Sequence, residues 1–98
     1  MQYIYQAYIG NMPISSQVFY RTIEGALQSA MDVIEYQCEG FAIVCKPVEI
    51  EKPKSYPYYI CKVFRVKIID EEFDEELGVD RSYIRYDYVS IKESTLMD

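Results

Sequence analysis

The chain has 98 residues and a mass of 11.6 kDa, which is enough for one hydrophobic core and too little for two. Half of its residues are hydrophobic, 27% are charged, and sixteen acidic residues against ten basic ones give a formal charge of −6. This balance is typical of a folded chain and not of a disordered one. Histidine is absent, which excludes Ser-His and Cys-His nucleophiles, zincin motifs and an imidazole proton shuttle. We expect a single acidic domain over residues 1–98.

The first segment, Met1 to Ile9, alternates between two sets of side chains, and this period of two predicts a β-strand. Gly10, Asn11 and Pro13 predict a loop after it. Because the segment alternates and lacks a charged region followed by an apolar one, we expect no secretory signal.

A helix is predicted to begin after Thr22, a favourable N-cap residue, and to continue to about Glu39, with Gly40 as its stop. Apolar residues recur along it at steps of three and four, as on the buried side of a helix. They are Ile23, Ala26, Leu27, Ala30, Met31, Ile34 and Cys38. We expect this side of the helix to pack on a sheet.

Three more strands are predicted after the helix. The first spans Phe41 to Glu51, where Pro47 removes a hydrogen-bond donor and indicates an edge or a bulge. The longest, Tyr58 to Ile69, is expected at the centre of the sheet, and the last covers about Tyr83 to Lys92. Residues 93–98 are expected to form a frayed tail. The order β-α-β-β-β predicts an α+β fold with one amphipathic helix packed on a mainly antiparallel sheet.

One short run carries the net charge, because the acids and bases outside it balance. Its six carboxylates are Asp70, Glu71, Glu72, Asp74, Glu75 and Glu76. Carboxylates packed so densely repel one another, and such a run adds little stability unless a cation or a basic partner is expected. We interpret the run as a connection to the last strand that serves as an acidic docking surface, with a flexible solubilising loop as the alternative.

A divalent metal ion is another candidate ligand for the same run. An EF-hand loop starting at Asp70 requires glycine at its sixth position and glutamate at its twelfth, but Glu75 and Arg81 stand there. A loose, weak divalent site is a third alternative. No cofactor or metal site is predicted.

The outward side of the predicted helix carries a second acidic stripe, formed by Glu24, Asp32, Glu35 and Glu39 together with Gln28. Asp32, Glu35 and Glu39 stand roughly 4.5 to 6 Å apart along the axis, close to the roughly 7 Å between phosphates of one DNA strand. No basic residue interrupts it, although like charges at this spacing destabilise a helix. The stripe is predicted either to bind a partner or to be a solvated face.

The three cysteines, Cys38, Cys45 and Cys61, are odd in number and lack the paired spacing of a zinc site. We expect buried thiols in a reducing cytoplasm. No apolar stretch reaches the roughly eighteen residues of a membrane span.

Eleven tyrosines and no tryptophan are present, too many for every hydroxyl to be buried, so some must be exposed. Tyrosines near Lys62, Arg65 and Lys67 favour stacking on single-stranded nucleic acid. The aromatic signature of an RNA-recognition sheet is missing, however, and the acidic charge repels phosphate. We therefore predict no direct binding of nucleic acid and a basic protein surface as the partner.

The chain resembles the small acidic proteins that phages use against host defences. The shared features are small size, missing histidine, unpaired cysteines and concentrated carboxylates. The nearest families are the Arn-type anti-restriction DNA mimics of T-even phages and the acidic anti-CRISPR proteins. The resemblance is one of type, carried by the helix stripe and by the acidic run. It implies a cytoplasmic inhibitor, not an enzyme, that occupies the DNA-binding cleft of a restriction or CRISPR nuclease through carboxylates that imitate phosphates.

Two other classes fit the same residues. An immunity protein against a basic nuclease toxin would be equally small, acidic and rich in tyrosine. A homodimeric structural or regulatory module would pair an edge strand, at Pro47 or at Tyr83 to Lys92, with a second copy. Enzymatic use of paired carboxylates ranks last, because nothing in the sequence places two of them in an apolar pocket.

Overall fold

In the computed structural model, residues 2–13, 18–38 and 42–96 are described. They form one helix, α1 (Ile23–Gln37), and six strands. The strands are β1 (Gln2–Ile9), β2 (Met12–Pro13), β3 (Ile43–Val44), β4 (Val48–Ile50), β5 (Ile60–Asp74) and β6 (Val79–Leu96). The sheet order is β2-β1-β6-β5-β3, β4 also pairs with β5, and these pairs are antiparallel. The α+β class, with a helix on a mainly antiparallel sheet, is confirmed, whereas the element order contains short strands that we did not predict.

The helix begins as the sequence indicates. The hydroxyl of Thr22 accepts a hydrogen bond from the backbone N–H of Gly25 at 3.0 Å, which satisfies one of the four free donors of the first turn. At the other end the N–H of Cys38 donates to the carbonyl of Ile34 at 3.1 Å. The predicted stop at Glu39 and Gly40 lies outside the described residues.

The core lies between the helix and one face of the sheet, which we call the inner face. Its buried side chains are Ala26, Ala30, Met31 and Ile34 from α1, Ala7 from β1, Phe64, Val66 and Ile68 from β5, and Val89 and Ile91 from β6. Alanines on the helix and on β1 leave room for the helix to approach the sheet closely. Three further residues of this helix side pack against the cluster but are only partly buried: Ile23, Leu27 and Cys38.

The first turn of the chain is tighter than a loop. Ile9 pairs with Met12, so that only Gly10 and Asn11 connect β1 to β2. Gly10 has φ of +62°, a conformation that glycine adopts without steric cost. The segment before the helix returns to β1, where Tyr5 and Tyr20 exchange two backbone hydrogen bonds of 2.7 and 2.8 Å.

The single strand predicted from Phe41 to Glu51 is wrong. The segment forms two short strands, β3 and β4, with Pro47 between them, because proline lacks the N–H that an uninterrupted ladder needs. Both short strands lie along β5 at the edge of the sheet, as the proline indicates. Phe41 itself lies outside the described residues.

The acidic run is not a connection between strands. β5 continues through it to Asp74, and β6 begins at Val79, which leaves a turn of four residues between them. Two residues that favour β-structure face the run from β6, with Tyr83 opposite Asp70 and Val79 opposite Asp74. Gly78 adopts φ of +65° at the end of the turn. The prediction of a non-strand segment therefore missed a long hairpin.

The frayed tail predicted for residues 93–98 is also wrong where it is described. Tyr5 pairs with Glu93, and Gln2 pairs with Leu96, so β6 supplies the ladder partner for the first half of β1. Backbone groups of β1 would otherwise lose these hydrogen bonds. Residues 97–98 lie outside the described part of the chain.

On the opposite face of the sheet, the outer face, the described residues provide cover at one end. Ile60 and Val63 are buried there, where the segment from Ser55 to Ile60 lies beside Tyr8 and Ser90 around an open cleft of about 340 Å³. The Cα extents are 61 × 26 × 19 Å, and a 15-residue strand of roughly 3.3 Å per residue accounts for most of the longest one. Among the described residues, no helix is long and apolar enough to cross a membrane.

The burial pattern makes a direct prediction for the helix. Ile34→Ala should lower the free energy of unfolding by about 2 to 5 kcal/mol, because Ile34 is 1% exposed in the core. Leu27→Ala should cost less, since that side chain is only partly buried. Denaturant unfolding measures both, with Tyr36→Ala at a position 89% exposed as the control. Equal stability of Ile34→Ala and the control would contradict the packing of α1 on the sheet.

Candidate functional site

The acidic run and the strand facing it form what we call the acidic hairpin, residues 70–85. Its register pairs Asp70 with Tyr83, Glu72 with Arg81, and Asp74 with Val79. The hairpin contains seven carboxylates and two guanidinium groups. Like-charge repulsion along β5 is therefore opposed by cross-strand pairs and by the backbone ladder.

The turn of the hairpin is held by one aspartate. Oδ1 of Asp74 accepts hydrogen bonds from the backbone N–H groups of Glu76 at 3.0 Å and Leu77 at 3.2 Å. The backbone N–H of Gly78 donates to the Asp74 carbonyl at 2.8 Å, and Oδ2 of Asp74 lies 3.0 Å from Nε of Arg81. Asp74 thus organises the turn while its charge is balanced.

The base of the hairpin is held by a second arginine. Nε of Arg85 donates to Oδ2 of Asp70 at 2.8 Å, Nη1 lies 3.6 Å from Asp87, and Nη2 donates to Sγ of Cys38 at 3.5 Å. The hydrogen bond from Arg85 to Asp70 is the main cause that raises the pKa of the Arg85 guanidinium, and burial opposes it. The contact with Cys38 places the C-terminal end of α1 at the base of the hairpin.

The remaining carboxylates of the run have different orientations. Side chains alternate along a strand, so Glu72 shares the inner face with Asp70 and Asp74, whereas Glu71 lies on the outer face opposite Ser82. Glu75 and Glu76 lie in the turn. Glu71, Glu72, Glu75 and Glu76 are all exposed, and they are the carboxylates most open to a partner.

Large apolar side chains lie between these acids. They were not among the predicted site residues. Phe73, Leu77, Val79 and Tyr83 are between 48% and 60% exposed on the hairpin. An open cleft of about 260 Å³ at the tip is lined by Phe73 and Tyr83 together with Glu72, Glu75 and Arg81. The signal for them was an apolar residue after every three acids, Phe73 and Leu77, in a segment that we treated only as charged.

The helix stripe is a separate group on the same side of the sheet. Glu24, Asp32 and Glu35 are exposed, and Nε2 of Gln28 donates to Oδ1 of Asp32 at 2.9 Å. Glu39, the fourth predicted acid, lies outside the described residues. Since α1 covers the inner face and ends at the hairpin base, its stripe and the inner-face acids of the hairpin look toward the same side of the molecule.

In the ranges that the structure describes, no three cysteine, aspartate or glutamate side chains converge as metal ligands. The three cysteines are free thiols of intermediate exposure, so the expectation of buried thiols is met only in part. Burial, followed by the charge of Glu93, raises the pKa of the Cys61 thiol, which keeps it protonated and weakly reactive near neutral pH.

The role of Asp74 predicts a local effect. Asp74→Ala removes the acceptor of the two turn hydrogen bonds and the partner of Arg81, so the turn should lose about 1 kcal/mol of local stability. Amide hydrogen exchange within residues 71–82 should accelerate, while the melting temperature changes little because the hairpin tip lies outside the core. Glu75→Ala, in the same turn, is the control. Equal exchange in the two variants would contradict this role of Asp74.

Comparison with known proteins gives no further assignment, since no family model, no curated protein and no solved structure matches this chain.

Proposed function

We propose that this protein is an inhibitor that binds a basic surface of a nucleic-acid-binding nuclease stoichiometrically, without chemical turnover. The observation that carries the proposal is the acidic hairpin, an ordered ladder that extends past the helix and presents carboxylates with exposed apolar side chains. Charge alone would give weak, salt-sensitive attraction, whereas apolar area gives a protein interface its stability.

The docking surface of the proposal is the helix side of the molecule. It combines Glu72, Glu75 and Glu76 of the hairpin with Asp32 and Glu35 of the helix. Asp70 and Asp74 have a structural role in this surface, because the charges of Arg85 and Arg81 already balance theirs. An extended acidic surface of this kind suits a cleft built to hold a phosphate backbone, since that cleft carries lysine and arginine.

The class of target rests on the resemblance in type to phage anti-defence proteins, and a restriction or CRISPR nuclease in the host cytoplasm is the proposed partner. The three free thiols are compatible with a reducing compartment. Because the chain carries ten bases, the proposed DNA mimicry is confined to the acidic side and does not extend over the whole surface.

Charge reversal tests the proposal. The immobilised chain is used to recover basic nucleases from bacterial lysate, and the recovered nuclease is then titrated against duplex DNA in competition. Glu72→Lys with Glu75→Lys, or Asp32→Lys with Glu35→Lys, should slow association at least tenfold at low salt and allow DNA to displace the inhibitor. Wild-type inhibition should saturate at a fixed molar ratio.

A matched control carries the same change of charge on the outer face of the hairpin, Glu71→Lys with Asp80→Lys, and it should weaken competition far less than the helix-side variants. Thermal melting of each variant separates loss of binding from loss of folding. If both acidic-side variants bind like the wild type across a range of salt concentrations, the proposal is wrong. Inactivation of excess nuclease by trace protein would instead indicate an enzyme.

A further inference from the structure

The outer face of the sheet carries an apolar surface that the other described residues leave open. Directly opposite residues of antiparallel strands share a face, which places Ile69 with Ile84, Lys67 with Tyr86, and Arg65 with Tyr88 on this side. Ile43 of β3 extends the row beside Ile69, and Val48 of β4 extends it beside Arg65.

The composition of this face is unusual for a face in water. Ile43, Val48 and Ile84 are each at least 50% exposed, and Tyr86 and Tyr88 exceed 40%. A solvated face of an antiparallel sheet normally alternates polar residues with the buried ones, and a contiguous exposed apolar patch marks an interaction site. The aliphatic centre favours a protein partner, because single-stranded nucleic acid is held by stacking aromatics in a basic groove.

The charges along this face are distributed unequally about its centre. Toward the core end lie Arg65 and Lys67, with Cζ of Arg65 5.0 Å from the centroid of the Tyr86 ring. Toward the hairpin tip lie Glu71 and Asp80, which face Ser82 and Phe73 across the ladder. The centre between them is the Ile69–Ile84 pair. The face therefore changes from basic to apolar to acidic along the strand direction.

We propose that the outer face binds a second copy of this chain across a two-fold axis that passes over Ile69 and Ile84, perpendicular to the strands. Such an axis reverses the strand direction and places residue n of β5 opposite residue 138 − n of the other copy. Lys67 then meets Glu71 of the partner subunit, each standing about 7 Å from the axis along the strand. By the same operation on β6, Tyr88 approaches Asp80 of the partner subunit.

This self-complementarity is what selects a second copy over an unrelated protein. An isologous interface requires every attractive contact to occur twice, in opposite directions, and a basic end and an acidic end equally far from an apolar centre meet that requirement. The face spans about 26 Å along the hairpin and about 14 Å across three strands, or about 360 Å² per copy, which is below the roughly 800 Å² per partner of a standard interface and in the range of weak, transient ones. We expect association in the micromolar range.

The inference goes beyond the proposed function and uses a different surface. Glu72 of the hairpin and the stripe of α1 lie on the inner side, so they stay accessible in the dimer. Two acidic hairpins then extend in opposite directions from one paired centre. A monomeric protein would not contradict the proposed docking on a nuclease. Failure to bind a nuclease would not contradict the proposed dimer.

The experiment is sedimentation equilibrium of the purified full chain from 5 to about 500 µM, a range that brackets the association expected for an interface of this size. Wild type should dimerise. Lys67→Glu and Glu71→Lys should each weaken association at least tenfold, because each creates two like-charge contacts across the axis. The double variant, Lys67→Glu with Glu71→Lys, should recover the wild-type association, since it exchanges the charges and restores opposite signs. Ile84→Glu should give a monomer at every concentration.

The controls carry the same charge changes away from the face, Lys54→Glu and Glu51→Lys, and should dimerise like the wild type. Circular dichroism checks that each variant folds. We expect folding to be retained, because the substituted positions are exposed. A monomeric wild type at 500 µM overturns the proposal. A dimer that survives Ile84→Glu also overturns it, and points to pairing at the free edge of β6 before Val89. Binding of a single-stranded oligonucleotide that is abolished by Ile84→Glu, with no dimer, would assign the face to nucleic acid.

Discussion

The pairing of β5 with β6 connects every part of this molecule. β1 joins the sheet only through β6, and β3 and β4 join it only through β5. The same ladder carries the core residues Val66 and Val89 near its middle and continues to the turn at Asp74 and Val79. Because burial of apolar area provides the main favourable term in folding, the core stabilises the middle of the ladder. The hairpin end of the ladder then extends, as ordered hydrogen-bonded structure, beyond the buried residues.

This extension of the ladder explains how the acidic run can be ordered despite its repelling charges. Isolated, six carboxylates in seven residues would favour an expanded chain. In the hairpin, Arg81 and Arg85 balance two of these charges from the opposite strand, and the backbone ladder places Glu71 and Glu72 on opposite faces. The result is a rigid acidic surface on the helix side and a mixed, self-complementary surface on the outer side. A flexible loop could present the same charges, but it would have to lose conformational entropy upon binding.

Much of the fold could be predicted from local signals. Thr22 and the apolar period of α1 specify the helix, and the alternation in β1 specifies a strand, because each signal lies within a few residues. The strands that were missed depend on partners distant in sequence. Glu93–Leu96 carries no strong strand signal and is ordered by pairing with β1, and Asp70–Asp74 is ordered by residues 79–83. In the candidate site, the acids were identifiable from composition, whereas the role of Asp74 in the turn and the exposure of Phe73 depend on the register of the hairpin.

The most direct test is whether the acidic run is a paired strand in solution. Backbone NMR of the labelled full chain would measure cross-strand proton NOEs and ¹⁵N order parameters for residues 70–83. The structure predicts NOEs between Asp70 and Tyr83 and between Glu72 and Arg81, with order parameters near 0.85, as in rigid backbone. Absence of these NOEs, with order parameters below about 0.6 over the run, would contradict the account and return the run to a flexible loop.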